Sequence, residues 1–520
     1  MIALHNSWIL YYCLLIGLFL LSPSGRLVRC GEVEGDNPSS PSPSGSSSFS
    51  WRNLIDTLSS PEAFFNMVCP SNDESTWNRD EELRIIYVSP TTFKDVPIKL
   101  DPDDLRPAAR NLIEAGFKLN LPSLVYSHGF MQRVSWPWMK KLRKRYADIF
   151  QSAGKAPTYN LLLFDYAEAG TDFYQRAVSK VPTMGKILAD FLSVLRKQYK
   201  YSMNQLHLVG FSLSTHIMGV VGRRMRDDGY PVRQITALDP AGPCFFKDND
   251  FSRKYTLTPD AANLVVARHY NFGRYGSRKP IGGVDIYVNG GDDQPSLNEG
   301  FRSRLRSVLG LNSHIAAVYH EVGSAVDSSC YDMAYECDSY DNYLEGACAR
   351  CSEGSATCYH SGTLINGANR NKVPKYRLGT QMYTRMGGDK YCLHQYQLVV
   401  QMKERPGKVL DSAFIVGKVR LNLESGQVIT PTRKAACDEA IVYTKLVASE
   451  EDLSSMRQIT IDLEPEVNIG LLENIESIRL NYMSHPFEER RRAKSLSYCP
   501  TSSDPKTFSQ CSIPERGDTC

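Results

Sequence analysis

Residues 205–224, with the sequence QLHLVGFSLSTHIMGVVGRR, constrain the fold more than any other part of this chain. The apolar residues 206–209 predict a short buried strand, and a helix is predicted to begin near Leu213. Ser212 lies at the abrupt turn between them, where a strand–turn–helix elbow would hold a nucleophilic serine. The N–H of Leu213 would then point into the site from the helix N-terminus. A serine in this position can also be a helix N-cap, so the rest of the sequence has to decide.

Strand and helix patterns alternate on both sides of this turn. Short apolar runs predict strands at 83–88, 122–126, 160–164 and 234–238. Apolar residues at helical spacing predict an amphipathic helix over 184–195. Polar residues follow three of the strands, namely His128, Asp165 and Asp239. This alternation predicts a doubly wound, mostly parallel sheet with its site at the carboxyl edge.

The segments outside this sheet differ in composition and predict the domain boundaries. Residues 1–30 contain an apolar run of 14 residues, too short for a comfortable membrane span, and are interpreted as a signal peptide. Residues 31–50 are rich in Pro and Ser and predict a disordered leader. Residues 51–390 would form the domain of alternating strands and helices. Strands of period 2 without intervening helices predict an antiparallel β-sandwich at 391–520.

Cysteine usage and charge indicate the compartment and exclude one class of partner. Ten cysteines lie after residue 300, which together with the signal peptide predicts a secreted, extracellular protein with disulfides. The net charge is +3, so a general nucleic-acid binder is not expected.

A nucleophilic serine needs a base, an acid that orients the base, and donors for the oxyanion. In this fold the order along the chain is serine, acid and histidine. Asp239 follows the strand after the elbow and is the predicted acid, whereas Asp165 precedes the serine and is given a structural role. The candidate bases after Asp239 are His269, His314, His320, His360, His394 and His485. We predict His314, which begins a helix, whereas His269 lies in an apolar strand and is expected to form a core hydrogen bond.

Five segments carry a resemblance to a known family: GFSLSTH, SHGF, ITALDPAGPCF, VDIYVNGGDDQPS and NSHIAAVYHE. In this order they resemble the pancreatic-lipase family of secreted lipases. The similarity extends through a cysteine-rich stretch to a C-terminal β-sandwich of the PLAT type. The resemblance implies an α/β hydrolase with Ser212 as nucleophile, Asp239 as acid and His314 as base, in agreement with the spacing. It also implies that the backbone N–H groups of Phe130 and Leu213 are the oxyanion donors.

The chain departs from the family pattern at the elbow and at a calcium loop. The family usually has His before the serine and Gly two residues after it, where this chain has Phe211 and Ser214. We expect Ser214 to be tolerated because it adds only a small group. The family's calcium loop carries aspartates where this chain has Thr258 and Ala261, which leaves too few hard oxygen ligands. No calcium is therefore predicted, and the reaction needs no metal or organic cofactor.

The predicted lid, residues 297–311, is short, and it lacks the family's disulfide because Leu297 and Asn312 occupy the cysteine positions. An apolar helical face with interleaved arginines is predicted from Phe301, Arg302, Arg304, Leu305, Arg306, Val308 and Leu309. Two interpretations remain open. This face could lie on an anionic lipid surface with its arginines at the headgroups, or it could be a solvated surface helix.

Loop lengths indicate the substrate within the resemblance. A short lid and a short loop at 270–284 resemble the phospholipases that cleave the sn-1 chain, and Cys330 and Cys392 resemble the phosphatidylserine-directed members. We therefore predict a phospholipase A1 that acts at a phospholipid or neutral-lipid interface. A triacylglycerol lipase is the first alternative because it would share every catalytic residue. A catalytically inactive lipid-binding or storage protein is the second, although that class is expected to lack part of the triad.

The resemblance also implies disulfides, and the sequence contains one basic run. The implied pairs are Cys337 with Cys348, Cys351 with Cys358, and Cys499 with Cys511. We add Cys330 with Cys392 as a hypothesis and predict Cys244 to be a buried free thiol. Zinc binding at Cys348 and Cys351 is the less favoured alternative in a secreted protein. Heparan sulfate or anionic lipid could bind Arg490, Arg491, Arg492 and Lys494, although such a run is more often a solvated loop.

Overall fold

The structure is a computed structural model that describes residues 69–71, 77–78, 80–151, 158–295, 311–323, 330–351, 356–360, 376–388, 391–403, 406–437, 440–465, 467, 469–485 and 488–512. The predicted signal peptide and leader at 1–50 lie outside these residues. So do the predicted lid residues Phe301, Arg302, Arg304, Leu305, Arg306, Val308 and Leu309. Among the described helices, none has the length and hydropathy needed to cross a membrane.

Eleven α-helices are described, and we number them in chain order. They are α1 Arg106–Glu114, α2 Pro137–Gln151, α3 Ala167–Gly170, α4 Tyr174–Ser179, α5 Val181–Tyr199, α6 Leu213–Asp227, α7 Asp250–Tyr255, α8 Leu311–Gly323, α9 Tyr340–Leu344, α10 Lys408–Ile415 and α11 Glu488–Lys494. The amphipathic pattern at 184–195 lies within α5, whose apolar face is buried, so that prediction is confirmed.

The first sheet contains the strands up to residue 384. They are β1 Leu83–Val88, β2 Asp95–Leu100, β3 Ser123–Ser127, β4 Asn160–Asp165, β5 Leu206–Phe211, β6 Gln234–Leu238, β7 Leu264–His269, β8 Val284–Val288, β9 Met333–Glu336, β10 Cys358–His360 and β11 Thr380–Thr384. Their order in the sheet is β10-β9-β11-β8-β7-β6-β5-β3-β4-β1-β2.

The central strands of this sheet, from β11 to β4, run parallel. The chain proceeds from β3 outwards to β4, and then returns to add β5, β6, β7 and β8 on the other side of β3. The strand order therefore reverses between β3 and β5, and a site is expected outside the carboxyl ends of these two strands. The prediction of a doubly wound, mostly parallel α/β sheet is confirmed.

The second sheet contains the strands after residue 393 and is antiparallel. They are β12 His394–Met402, β13 Val419–Leu423, β14 Val428–Ile429, β15 Arg433–Cys437, β16 Ala440–Ser449, β17 Gln458–Leu463, β18 Ile475–Tyr482, β19 Leu496–Pro500 and β20 Thr507–Gln510. Their order is β14-β13-β17-β20-β19-β18-β12-β16-β15. One face buries an apolar core that includes Leu398, Val400, Ile459, Ile461 and Ile478, as the period-2 pattern predicts for a β-sandwich.

Five disulfides lie in the described part of the chain. The pairs are Cys69–Cys244, Cys330–Cys392, Cys337–Cys348, Cys351–Cys358 and Cys499–Cys511. The three implied pairs and the hypothetical fourth are confirmed, and zinc binding at Cys348 and Cys351 is excluded by their disulfides. The prediction of a free thiol at Cys244 is wrong, because Cys69 lies 175 residues upstream and nothing local in the sequence indicates this pairing. Five disulfides fit a protein of an oxidising, extracellular compartment.

Candidate active site

The elbow between β5 and α6 places Ser212 at the predicted position. Its backbone has φ 56° and ψ −118°, the strained conformation that turns a strand abruptly into a helix. A Cβ at Gly210 would lie 2.8 Å from the backbone of Ser214, so only glycine allows this close approach. The Ser212 side chain makes no capping hydrogen bond to α6, which excludes the N-cap interpretation.

Three side chains that are far apart in the sequence form one hydrogen-bonded chain. The hydroxyl of Ser212 donates to Nε2 of His314 at 2.9 Å, and Nδ1 of His314 donates to Oδ2 of Asp239 at 2.5 Å. All three residues are buried. This is the arrangement in which an imidazole can accept a serine proton while a carboxylate stabilises the imidazolium.

The carboxylate of Asp239 is held by the backbone of the neighbouring strand end. Its Oδ1 accepts the N–H groups of Tyr270 at 2.8 Å and Asn271 at 3.0 Å, which leaves Oδ2 directed at His314. A Cβ at Gly276 would lie 2.7 Å from Oδ1, so the loop after β7 can close over the carboxylate only with glycine there.

Two aromatic rings flank the imidazole of His314. The ring of Phe211 lies 4.8 Å from it, centroid to centroid, and the ring of Tyr275 lies 5.9 Å from it. The departure from the family pattern at Phe211 therefore has a packing role beside the imidazole. The sequence did not indicate Tyr275, which belongs to the loop predicted to influence substrate choice.

The loop after β3 lies beside the elbow and is tied down by several side chains. The hydroxyl of Tyr166 donates to the carbonyl of His128 at 2.8 Å, and Nε2 of His128 lies 2.9 Å from Oδ1 of Asp165. Burial raises the pKa of Asp165, but the hydrogen bond and charge of His128, together with the N–H of Ala167 and the charge of Arg84, bring the net pKa below the usual value. The side-chain oxygen of Gln132 accepts the N–H of Gly129 at 3.3 Å. Asp165 therefore supports this loop and does not contact Ser212, in keeping with its predicted structural role.

The other candidate bases occupy different surroundings. Nε2 of His269 lies 2.7 Å from Oδ1 of Asp285, which confirms its predicted core hydrogen bond. His320 faces a buried arginine, and Nδ1 of His394 lies 3.0 Å from the Tyr482 hydroxyl. The rings of His360 and His485 pack against Tyr331 in the loop before β9. Within the described residues, only His314 of this set is hydrogen-bonded to Ser212.

His216 supports the site although the sequence did not single it out. Leu257 donates its N–H to Nδ1 of His216 at 3.1 Å, so Nε2 carries the proton and donates to the carbonyl of Ala241 at 2.9 Å. Ala241 lies two residues after Asp239, and its own N–H donates to the carbonyl of Ser212 at 3.3 Å. Burial lowers the pKa of His216 to about 3. The neutral ring therefore braces the segment that carries Asp239.

Acidification is expected to destabilise the folded chain because it protonates the buried imidazole of His216. An unfolded histidine titrates near pH 6.5, whereas folded His216 stays neutral to about pH 3. Its contribution to stability is therefore complete above pH 6.5 and is lost as the pH falls towards 3, by about 1.4 kcal/mol per pH unit at most. His320, whose pKa burial lowers to about 4, adds a loss of the same sign. Chemical unfolding between pH 7.5 and pH 4.5 measures how the free energy of unfolding changes with pH, and His216→Gln should reduce this dependence. An unchanged pH dependence in His216→Gln would show that His216 does not cause the loss of stability.

A buried charged network holds α8 at Glu321, about two helical turns after His314. Arg268 on β7 donates to Glu321 of α8 at 2.8 Å and to Asp332 at 3.1 Å, and all three side chains are fully buried. Tyr126 of β3 donates to Glu321 at 2.7 Å, and Thr384 of β11 donates to Asp332 at 2.9 Å. Burial lowers the pKa of Arg268, but Tyr270, Asp332 and Glu321 raise it to a net value above the usual one. The network joins the helix that carries His314 to three strands of the sheet.

The basic run on α11 is only partly available to a ligand. Arg491 is buried and donates to the carbonyl groups of His485 and Cys351, and Lys494 pairs with Asp452 at 2.7 Å. The prediction that Arg491 contacts an anionic partner is therefore wrong, because its guanidinium stabilises the adjoining loops. Arg490 and Arg492 are exposed. In the described part of the chain, no group of three or more His, Cys, Asp or Glu side chains could hold a metal ion.

Comparisons with known proteins identify lipases and a phospholipase as similar to this chain. A family model described as Lipase matches residues 100–385, more than half of the chain. Lipoprotein lipase of Gallus gallus is 26% identical over 372 residues, which cover 68% of this chain and 71% of that protein. Phospholipase A1 member A of Mus musculus is 28% identical over 333 residues, covering 62% and 69%. Hepatic triacylglycerol lipase of Homo sapiens is 26% identical over 374 residues, covering 68% and 70%.

Proposed function

We propose that this chain, which belongs to the lipase family, is a secreted phospholipase A1 that releases the sn-1 fatty acid from phospholipids. Its family makes it a carboxylester hydrolase that acts on lipids. The observation that carries the catalytic part of the proposal is the continuous hydrogen-bonded chain from Asp239 through His314 to Ser212. An inactive storage protein has no need of this geometry, so we rank that alternative last.

In the proposed mechanism, Ser212 Oγ attacks the ester carbonyl carbon while its proton passes to Nε2 of His314. Asp239 stabilises the resulting imidazolium through Nδ1. The backbone N–H groups of Phe130 and Leu213 would hold the oxyanion of the tetrahedral intermediate. Neither group donates a hydrogen bond within the described residues, so both are available. His314 then protonates the leaving alcohol, and water, activated by the same imidazole, releases the fatty acid from the serine.

The preference for phospholipid rests on the loops around the serine. The lid predicted at 297–311 is short, and the loop at 270–284 is held down beside the site. Gly242 donates its N–H to the carbonyl of Tyr275 at 2.8 Å, and Ala241 forms a β-bridge with Gly276. Because this loop packs against residues 241 and 242, it leaves room for a polar headgroup beside Ser212. Phospholipase A1 member A among the similar proteins supports the same choice, whereas the lipoprotein and hepatic lipases support a triacylglycerol lipase as the alternative.

A lipid interface is the partner that the lipase family implies, and an anionic contact is a further hypothesis. With Arg491 buried and Lys494 paired to Asp452, heparan sulfate or an anionic lipid would contact Arg490 and Arg492. Extracellular location is proposed from the predicted signal peptide together with the five disulfides.

The test is fatty acid release from lipids that carry different labels in the sn-1 and sn-2 chains. We expect the mature protein to release the sn-1 acid from phosphatidylserine or phosphatidylcholine vesicles faster than any acid from a triolein emulsion. Ser212→Ala provides the blank for each substrate. Comparing binding to the two kinds of vesicle also tests the anionic contact, which requires tighter binding to phosphatidylserine.

Each other outcome identifies an alternative. Faster release from triolein, absent in Ser212→Ala, makes the chain a triacylglycerol lipase. Release of the sn-2 acid alone contradicts the phospholipase A1 assignment. No release from any substrate, together with no labelling of Ser212 by a serine-reactive phosphonate, favours the lipid-binding or storage protein.

A further inference from the structure

Ser214, two residues after the proposed nucleophile, forms a hydrogen-bonded bridge between two strands. It is fully buried in the first turn of α6. Its hydroxyl oxygen accepts the backbone N–H of Phe211 at 2.9 Å, and lies 3.1 Å from the carbonyl oxygen of Ser127 and 3.0 Å from that of Phe211. A hydroxyl has one hydrogen, so it donates to one of the two carbonyls at a time. The contact with Ser127 joins β5 to β3.

This bridge lies where the backbone pairing of the strands stops. The register of β3 and β5 ends with Ser127 opposite Gly210. The hydroxyl of Ser127 in turn donates to the carbonyl of Phe164 on β4 at 3.1 Å. The hydroxyl of Ser214 therefore continues the connection between β5 and β3 one residue beyond their ladder, and the hydroxyl of Ser127 adds a connection to β4 at the last pair of the β3–β4 ladder.

We propose that Ser214 is a positioning residue that sets the spacing between the two oxyanion donors. The inference rests on the proposed function, because it takes the N–H groups of Phe130 and Leu213 as those donors. Leu213 directly precedes Ser214, and Phe130 follows the bridged carbonyl of Ser127 by three residues. The bridge therefore fixes both donor segments relative to each other.

The effect of removing the hydroxyl follows from its three neighbours. Without it, the buried N–H of Phe211 loses the hydroxyl oxygen that lies 2.9 Å away, and the end of β5 loses its side-chain connection to the carbonyl of Ser127. The ends of β5 and β3 are then held together less tightly, and any shift between them carries the elbow with it. Oxyanion donors act over a narrow range of distances, and a misplacement of about 1 Å in an active site costs about 100-fold in rate. Glycine, the usual family residue by resemblance, lacks the hydroxyl, so the serine has a role here beyond being tolerated.

The experiment measures kcat and KM of Ser214→Gly and Ser214→Ala on p-nitrophenyl butyrate, a soluble ester that does not depend on headgroup preference. Phosphonate titration counts the competent sites, so kcat is expressed per site. Ser123→Ala is the matched control. Like Ser214, Ser123 is a buried serine, and its hydroxyl accepts from the hydroxyl of Tyr201 at 2.7 Å. It lies at the start of β3, at the end of the strand opposite to Ser127.

We expect both Ser214 variants to lower kcat by about 10- to 100-fold with KM changed by less than about twofold. The control should lose thermal stability with kcat within about twofold of the wild type. Wild-type kcat in Ser214→Gly overturns the proposal, and so does an equal loss in Ser123→Ala. If Ser214→Ala does not fold, the glycine variant still decides. A wild type that hydrolyses no ester and takes no phosphonate overturns the proposed function, whereas an active wild type with an unaffected Ser214→Gly overturns only this inference.

Discussion

Replacing Ser212 with alanine is expected to lower kcat by about 10⁶-fold, and replacing Asp239 with asparagine by about 10⁴-fold. The double variant should be no slower than Ser212→Ala alone. The reason is that the three side chains act as one unit, so the loss of the nucleophile leaves no step for the imidazole to assist. Turnover of p-nitrophenyl butyrate by purified variants measures all three effects.

The geometry around Asp239 explains why asparagine is so damaging there. Oδ1 accepts two backbone N–H groups, so an asparagine must place its amide oxygen at that position. Its NH₂ group would then face Nδ1 of His314 and force the proton onto Nε2. An imidazole with a proton on Nε2 cannot accept one from Ser212, so the tautomer is wrong for catalysis.

Asp165→Asn is the matched control for this prediction. Asp165 is also a buried carboxylate that contacts a histidine at the same edge of the sheet, but its partner is His128 and not His314. We expect its kcat to remain within about tenfold of the wild type, because only a supporting contact changes. Equal losses in Asp165→Asn and Asp239→Asn would show that the acid of the triad has been assigned wrongly.

Local patterns in the sequence were sufficient to predict the core of the fold. The largely apolar runs at 83–88 and 234–238 match β1 and β6 to the residue, because a strand buried in the interior of a domain needs a mostly apolar segment. His314 was selected because it begins a helix, and the structure brings it to hydrogen-bonding distance of Ser212. Residues at the ends of parallel strands converge at one edge, so the alternation of strands and helices was enough to predict a site at that edge.

Contacts between distant segments could not be predicted in this way. Cys244 pairs with Cys69, and no spacing rule connects two cysteines that are 175 residues apart. His216 sits on the buried face of α6 like any core residue, and only the position of Ala241 reveals its role. Arg268 did leave a signal, because a charged side chain within the apolar strand 264–269 needs a buried partner of opposite charge.

Replacing Arg268 with methionine is expected to lower the free energy of unfolding by about 3–5 kcal/mol. Removing the guanidinium leaves the carboxylates of Glu321 and Asp332 buried without their cation, and a buried unpaired charge is strongly destabilising. Because Glu321 belongs to the helix that carries His314, the temperature at which esterase activity is lost should decrease together with the unfolding temperature. Urea denaturation monitored by fluorescence measures the loss.

Two further variants test whether the expected loss of stability comes from the buried charged network and not simply from removing an arginine. Arg226 also pairs with two carboxylates, Asp227 and Asp260, but it lies at the surface, so Arg226→Met should cost less than about 1 kcal/mol. Adding Glu321→Leu and Asp332→Asn to Arg268→Met removes the unpaired charges and should recover much of the lost stability, since an apolar replacement of a whole buried ion network is often neutral. If Arg268→Met is as mild as Arg226→Met, the buried network does not hold α8 in place. If the triple variant has a lower free energy of unfolding than Arg268→Met, the stability lost in Arg268→Met comes from packing, because removing the unpaired charges then brings no gain in stability.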